Sequence, residues 1–191
     1  MDKTALLVMD VQRGIVARFG DDGDYLARLR AATTAARAHH IRVIYVVVGF
    51  RSGHPEVSAR NKTFSAIAAS GGSGGTAGFA HDDPATEIHP DVAPEAGDIV
   101  VTKRRVSAFA GSDLDVVLRS QEVGRLVLTG IATSGVVLST LRQAADLDFG
   151  LTVLRDGCLD ADEEVHRVLT EKVFPRQADV LTVADWTASL G

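Results

Sequence analysis

The chain has 191 residues, 46% of them apolar, with 20 Lys and Arg set against 25 Asp and Glu for a formal net charge of −5 at pH 7. That length suits one domain with a sizeable core, and the acidic balance, relieved locally by Lys103-Arg104-Arg105, argues against a nucleic-acid partner, whose phosphates need clustered cations. No stretch approaches the about 20 apolar residues of a membrane span, the start MDKTALLVMD lacks a basic signal region, and the single Cys158 excludes an internal disulfide or a Cys-x-x-Cys metal site, so the expectation is one cytoplasmic domain over 1–191 with no membrane partner.

In chain order, six β-branched apolar runs read as strands: Thr4 to Met9, Val43 to Val48, Asp98 to Thr102, Arg125 to Thr129, Leu151 to Leu154 and Val180 to Val183. They are continuous instead of alternating, as strands covered by helices on both faces are. Helical spacing lies between them. Asp24 to His40 carries Leu26 and Leu29, and Ser112, Asp113 and Asp115 can cap a helix bearing Leu114, Val117 and Leu118. Ser134 to Leu147 sets Val137, Thr140, Leu141 and Ala144 on one stripe, and Asp162 to Phe174 runs up to Pro175. The stretch from Gly49 to Gly97 is irregular. Its Gly/Ser-rich part, Gly71 to Gly78, reads as a tether or lid, since no strand leads into it and no lysine follows at phosphate-loop spacing. The pattern predicts an α/β fold: a doubly wound, mostly parallel six-stranded sheet with helices on both faces.

In such a sheet ligands bind beyond the carboxyl ends of the strands. The polar residues that follow strands therefore carry the information: Asp10, Lys103, Thr133 and Ser134, Asp156 and Cys158. A carboxylate and an ammonium at a partly buried edge make an acid/base device, because the lysine favours the ionised aspartate and burial opposes it. The plain alternatives are a turn-capping Asp10, a solvated Lys103 and an inert, buried Cys158. Arg51 and Arg60 flank the irregular stretch and suit a substrate carboxylate. His54, His81 and His89 lie within it as candidate acids or bases, or as loop surface, while His166 reads as a helix residue with no evident partner.

Three segments, ALLVMDVQRGI, GDIVVTKRRVSAFAGSDLDVVLR and LVLTGIATSGVVLSTLRQAADLDFGLTVLRDG, resemble in the same order the isochorismatase-like hydrolase family, which includes isochorismatases, nicotinamidases and carbamoyl-amide hydrolases. The resemblance covers most of the chain and implies the same doubly wound fold. It also implies that Asp10 is the acid/base aspartate and Lys103 its partner. By the same resemblance the Gly130-Ile131-Ala132-Thr133 turn contains a cis peptide between Ile131 and Ala132. The backbone N–H groups of Ala132 and residue 136 would then face a developing oxyanion. Gln12, Phe109, Ile131, Ala132 and Thr133 are the candidate substrate contacts.

The chain departs from that pattern where cysteine hydrolases of the family place their thiol, for here the position is Val136. A hydrocarbon side chain attacks nothing. Similarity to the family's isochorismatases offers a route without the thiol, in which the carboxylic acid protonates a vinyl ether carbon and water completes the cleavage. Those enzymes carry a tyrosine where Ala132 stands, and nicotinamidases a histidine-rich metal site, of which His54 supplies a single ligand. The expectation is therefore a hydrolase of a small molecule, free of metal and cofactor, assembled as a homo-oligomer of two or more copies. Two other readings stay open: a family member that binds a ligand without chemistry, and an amide hydrolase that uses Cys158.

Overall fold

The computed structural model describes residues 3–19, 24–69, 78–81 and 83–191. Of the expected tether only Gly78 falls within them; residues 71–77 lie outside the described residues. The strands are β1 Lys3–Met9, β2 Arg42–Val48, β3 Ile99–Lys103, β4 Val123–Ile131, β5 Gly150–Leu159 and β6 Asp179–Leu181. They form one sheet in the order β3-β2-β1-β4-β5-β6. Every pairing is parallel.

The unalternating strands follow from burial on both sides. In β1, Ala5, Leu7 and Met9 enter one core, with Leu114, Leu118, Leu141 and Ala144 of helices α4 (Leu114–Ser120) and α5 (Leu138–Asp146). Leu6 and Val8 point the other way, onto Tyr25, Leu26, Leu29 and Ala32 of α2 (Tyr25–Ala38) and Trp186 of α7 (Val183–Ala188). Because successive side chains of a strand leave opposite faces, a sheet coated twice has no polar face to mark a period. Each fully buried aliphatic side chain contributes about 1.5–3 kcal/mol by leaving water.

Several boundaries differ from the expectation, each for a local reason. β5 does not stop at Leu154; a register shift between Leu128 and Gly130 lets the strand resume pairing, with Cys158 opposite Gly130 and Leu159 opposite Ile131. Asp156 and Cys158 thus lie inside the strand. Val183 belongs to α7 instead of β6, because Thr182 accepts a hydrogen bond from the Asp185 N–H and caps the helix. The expected helix from Ser134 opens as a wide π turn, Thr133–Val137, ahead of α5. The one from Asp162 is capped by that side chain, runs as α6 (Glu163–Val168) and widens into a second π turn, Leu169–Val173. Two short helices of seven and eight residues, α1 (Arg13–Phe19) and α3 (Lys62–Ala69), escape the sequence reading.

The tightest point of the sheet is where β4 leaves it. Gly130 has φ of 139°, and a Cβ there would stand 2.2 Å from the Met9 carbonyl oxygen on the neighbouring strand. Only glycine fits that backbone and that gap. Replacing Gly130 with Ala should cost about 3 kcal/mol, from the disallowed φ together with the overpacked contact. Urea unfolding measures it, and a loss below about 1 kcal/mol would show that the two strand ends part without strain.

Candidate active site

From β1 the chain winds outward through β2 and β3, then returns to the other side of β1 with β4 and continues to β5 and β6. The reversal lies at the carboxyl ends of β1 and β4, where a crevice opens in this architecture. Asp10 is the first residue beyond β1. It adopts φ of 57°, a left-handed conformation aspartate tolerates better than most residues, and its N–H still reaches the Val46 carbonyl at 2.8 Å.

Lys103 closes β3, two strands away. Its stem crosses the end of β2, a gap of about 9.5 Å at ordinary strand spacing, and Nζ lies 2.9 Å from Asp10 Oδ2 and 3.0 Å from the Arg105 carbonyl. Both charged groups are enclosed, with Lys103 2% and Asp10 6% exposed. Burial pushes the Asp10 carboxyl above its ordinary value, against the pull of the Lys103 ammonium. Asp10 Oδ1 is buried and has no hydrogen-bond partner among the described residues. An acceptor left unpaired in this way is costly in a purely structural ion pair.

Across the reversal point, β4 ends in Gly130 and a cis peptide between Ile131 and Ala132. The π turn that follows puts Val136, 2% exposed, into the core that also receives Met9 and Ala108. The turn is pinned from β5 and α6. Ser134 N–H donates to Asp160 Oδ2 at 2.7 Å, and Thr133 Oγ1 lies 3.1 Å from the Leu159 carbonyl and 2.8 Å from His166 Nδ1. His166 therefore has a partner, contrary to the sequence reading. Burial lowers its pKa; Asp160 opposes that and Arg155 adds to it.

The substrate contacts expected from sequence divide. Ile131, Ala132 and Thr133 lie where β4 ends and the π turn begins, with Ile131 and Thr133 buried and the Thr133 hydroxyl already engaged. Gln12 does not face a ligand: its Nε2 donates to the Val48 and Thr86 carbonyls at 2.9 and 2.7 Å, and its Oε1 accepts from Val48 N–H at 2.9 Å. It fastens the exit of β1 to β2 and has no donor left. Phe109 also belongs to packing. Its ring lies 6.0 Å from that of Phe149, tilted by 35°, and Phe149 immediately precedes β5.

Cys158, expected beyond its strand, faces the core instead. It is 2% exposed, 4.0 Å from the Leu128 carbonyl, and burial pushes its thiol up to about 12. His54 binds the Gly78 carbonyl at 2.9 Å. No group of three or more His, Cys, Asp or Glu able to hold a metal ion occurs among the described residues, nor any helix long and apolar enough to cross a membrane.

The isochorismatase domain model matches residues 4–185. The chain belongs to the isochorismatase family. Among its relatives, the family protein YwoC of Bacillus subtilis is 32% identical over 176 residues, 91% of this chain and 87% of that one. The ureidoacrylate amidohydrolase RutB of Stutzerimonas stutzeri is 32% identical over 208 residues, covering 98% and 80%. In three dimensions an isochorismatase family protein from Burkholderia thailandensis superposes with a TM-score of 0.83 at 28% identity, covering 98% of this chain and 95% of that one. This family membership accounts for the all-parallel sheet and for the reversal between β1 and β4.

A thiol that titrates at about 12 is almost wholly protonated near neutrality. Cys158 should therefore resist iodoacetamide in the folded protein and react once urea exposes it. Fast labelling of the native protein, read by mass spectrometry, would restore it as a nucleophile.

Proposed function

We propose that this family member hydrolyses a small molecule with Asp10 as general acid/base and Lys103 as its electrostatic partner, without a covalent cysteine intermediate. One observation carries the reading: a buried Asp10–Lys103 pair at the reversal point, with one carboxylate oxygen unpaired; the absence of a covalent step rests on the resemblance, which puts Val136 where cysteine hydrolases of the family carry their thiol. Asp10 in its raised state keeps a proton to higher pH than a surface aspartate. That proton is what cleavage of a vinyl ether requires: it moves to carbon, an oxocarbenium-like centre forms, water adds to it and returns a proton to Asp10, and the resulting hemiketal collapses to a carbonyl as its C–O bond breaks and the alcohol leaves. The burial that raises Asp10 favours its neutral form. The backbone N–H groups of Ala132 and Val136 are the candidate donors for any oxygen that gains charge.

The similarity to a ureidoacrylate amidohydrolase favours a second reading, cleavage of an amide, in which ionised Asp10 activates the attacking water. The two differ in sign with pH. An acid works below the raised pKa of Asp10 and fails as pH rises through it, whereas a base gains over the same interval. Turnover of isochorismate and a panel of small amides, each followed against pH, assigns the role. Asp10→Asn should lower kcat at least about 100-fold on whichever substrate is turned over. Unchanged turnover in that variant removes Asp10 from the chemistry, and ligand binding without product from wild type would leave a binding protein.

A further inference from the structure

The acid/base pair accounts for Lys103 but not for the two arginines that follow it. The segment between β2 and α3 folds across them and supplies Glu56. Arg104 Nε lies 3.5 Å from Glu56 Oε1, and Arg51 Nη1 lies 2.5 Å from the same oxygen. Arg105 turns Nη2 to the Glu56 carbonyl at 3.0 Å and Nη1 to the Arg104 carbonyl at 2.6 Å. The other guanidinium nitrogens of Arg104 are engaged as well: Nη1 donates to the Lys103 carbonyl at 3.3 Å and Nη2 lies 3.1 Å from His81 Nε2. The side chains of Arg104 and Glu56 are 18% and 14% exposed, so this cluster is largely covered, while Arg51 at 68% reaches out to solvent.

Three guanidinium groups thus converge on one glutamate, two through its carboxylate and one through its carbonyl. Arg105 is satisfied by neutral carbonyls, an arrangement that leaves its charge unmatched by any of the partners named. The same Arg105 accepts the Lys103 ammonium at its backbone oxygen. One hydrogen bond therefore separates the arginine cluster from the Asp10–Lys103 pair. Arginine forks match a carboxylate in two parallel bonds, and they do so most strongly where water is thin.

We propose that Arg104 and Arg105 form an anion subsite at the mouth of the Asp10 crevice, that the substrate carries a carboxylate beside the bond that breaks, and that Glu56 occupies the subsite until substrate displaces it. This rests on the reading that Asp10 marks the reacting end. Glu56 is suited to the part. Burial works against its charge, but hydrogen bonds from its own backbone and from Arg51 outweigh that and hold its carboxyl below the usual range. It competes as an anion, and when displaced it can leave with Arg51 toward solvent. An internal competitor lowers apparent affinity by the fraction of time it holds the site.

Calorimetric titration with matched pairs, ureidoacetate against ureidoacetamide and benzoate against benzamide, tests the subsite apart from turnover. At least one carboxylate should bind about 10-fold or more tightly than its amide, and Arg104→Gln and Arg105→Gln should each erase most of that difference, as loss of a charge-assisted bond does. Glu56→Gln should tighten carboxylate binding several-fold and leave the amide unmoved. Arg105→Lys, which keeps the charge and loses the fork, should fall between wild type and Arg105→Gln, and thermal melts confirm that each variant is folded. Charge-blind binding, no binding of either carboxylate, or weaker carboxylate binding in Glu56→Gln overturns the proposal. Turnover of substrate by Asp10→Asn would overturn the acid/base reading, while the subsite is decided by the binding comparison of the arginine and Glu56 variants alone.

Discussion

The bond from Lys103 to Asp10 joins the ends of two strands that do not touch. β2 lies between them, so the ammonium must arch over its carboxyl end to reach the carboxylate, and both groups leave water to meet. Burying two ions costs several kcal/mol each before their attraction is counted. A contact made on such terms constrains everything around it. β1 must stop with Asp10 turned upward in a left-handed conformation, β3 must end at Lys103, and the Val48 backbone must be held by Gln12 so that the path over β2 stays open.

The opposite wall of the crevice obeys a different constraint, which is steric. Gly130 lets β4 lie against the Met9 carbonyl while the chain turns into the π turn. That turn is then secured from outside by Asp160 and His166, residues of the β5–α6 connection and of α6. One wall is thus set by charge and the other by the absence of a side chain. Within that turn Val136 is buried in the core that also receives Met9, the residue before Asp10.

Much of this architecture is legible along the chain. Six unalternating apolar runs imply a sheet coated on both faces, and each of the strands overlaps its expected run. Asp10 and Lys103 stand out because they follow such runs directly. Gln12 and Phe109 show that a place near a site residue in the sequence says nothing of which way a side chain turns. Gln12 turns back into the backbone of β2, and the Phe109 ring meets that of Phe149. Glu56, Asp160 and His166 gave no signal at all, since their partners lie far along the chain and only folding brings them within reach.

Local chemistry, then, was sufficient for the layers, the strand identities and the acid/base candidates, because hydrophobic runs and strand-end polar residues act over a few positions. The order of the strands, the reach of Lys103 across β2, the turning of Cys158 into the core and the gathering of Arg51, Arg104 and Arg105 on Glu56 were decided only in three dimensions. Those features depend on which distant segments exclude water from one another, and no pattern in a single stretch of chain encodes that.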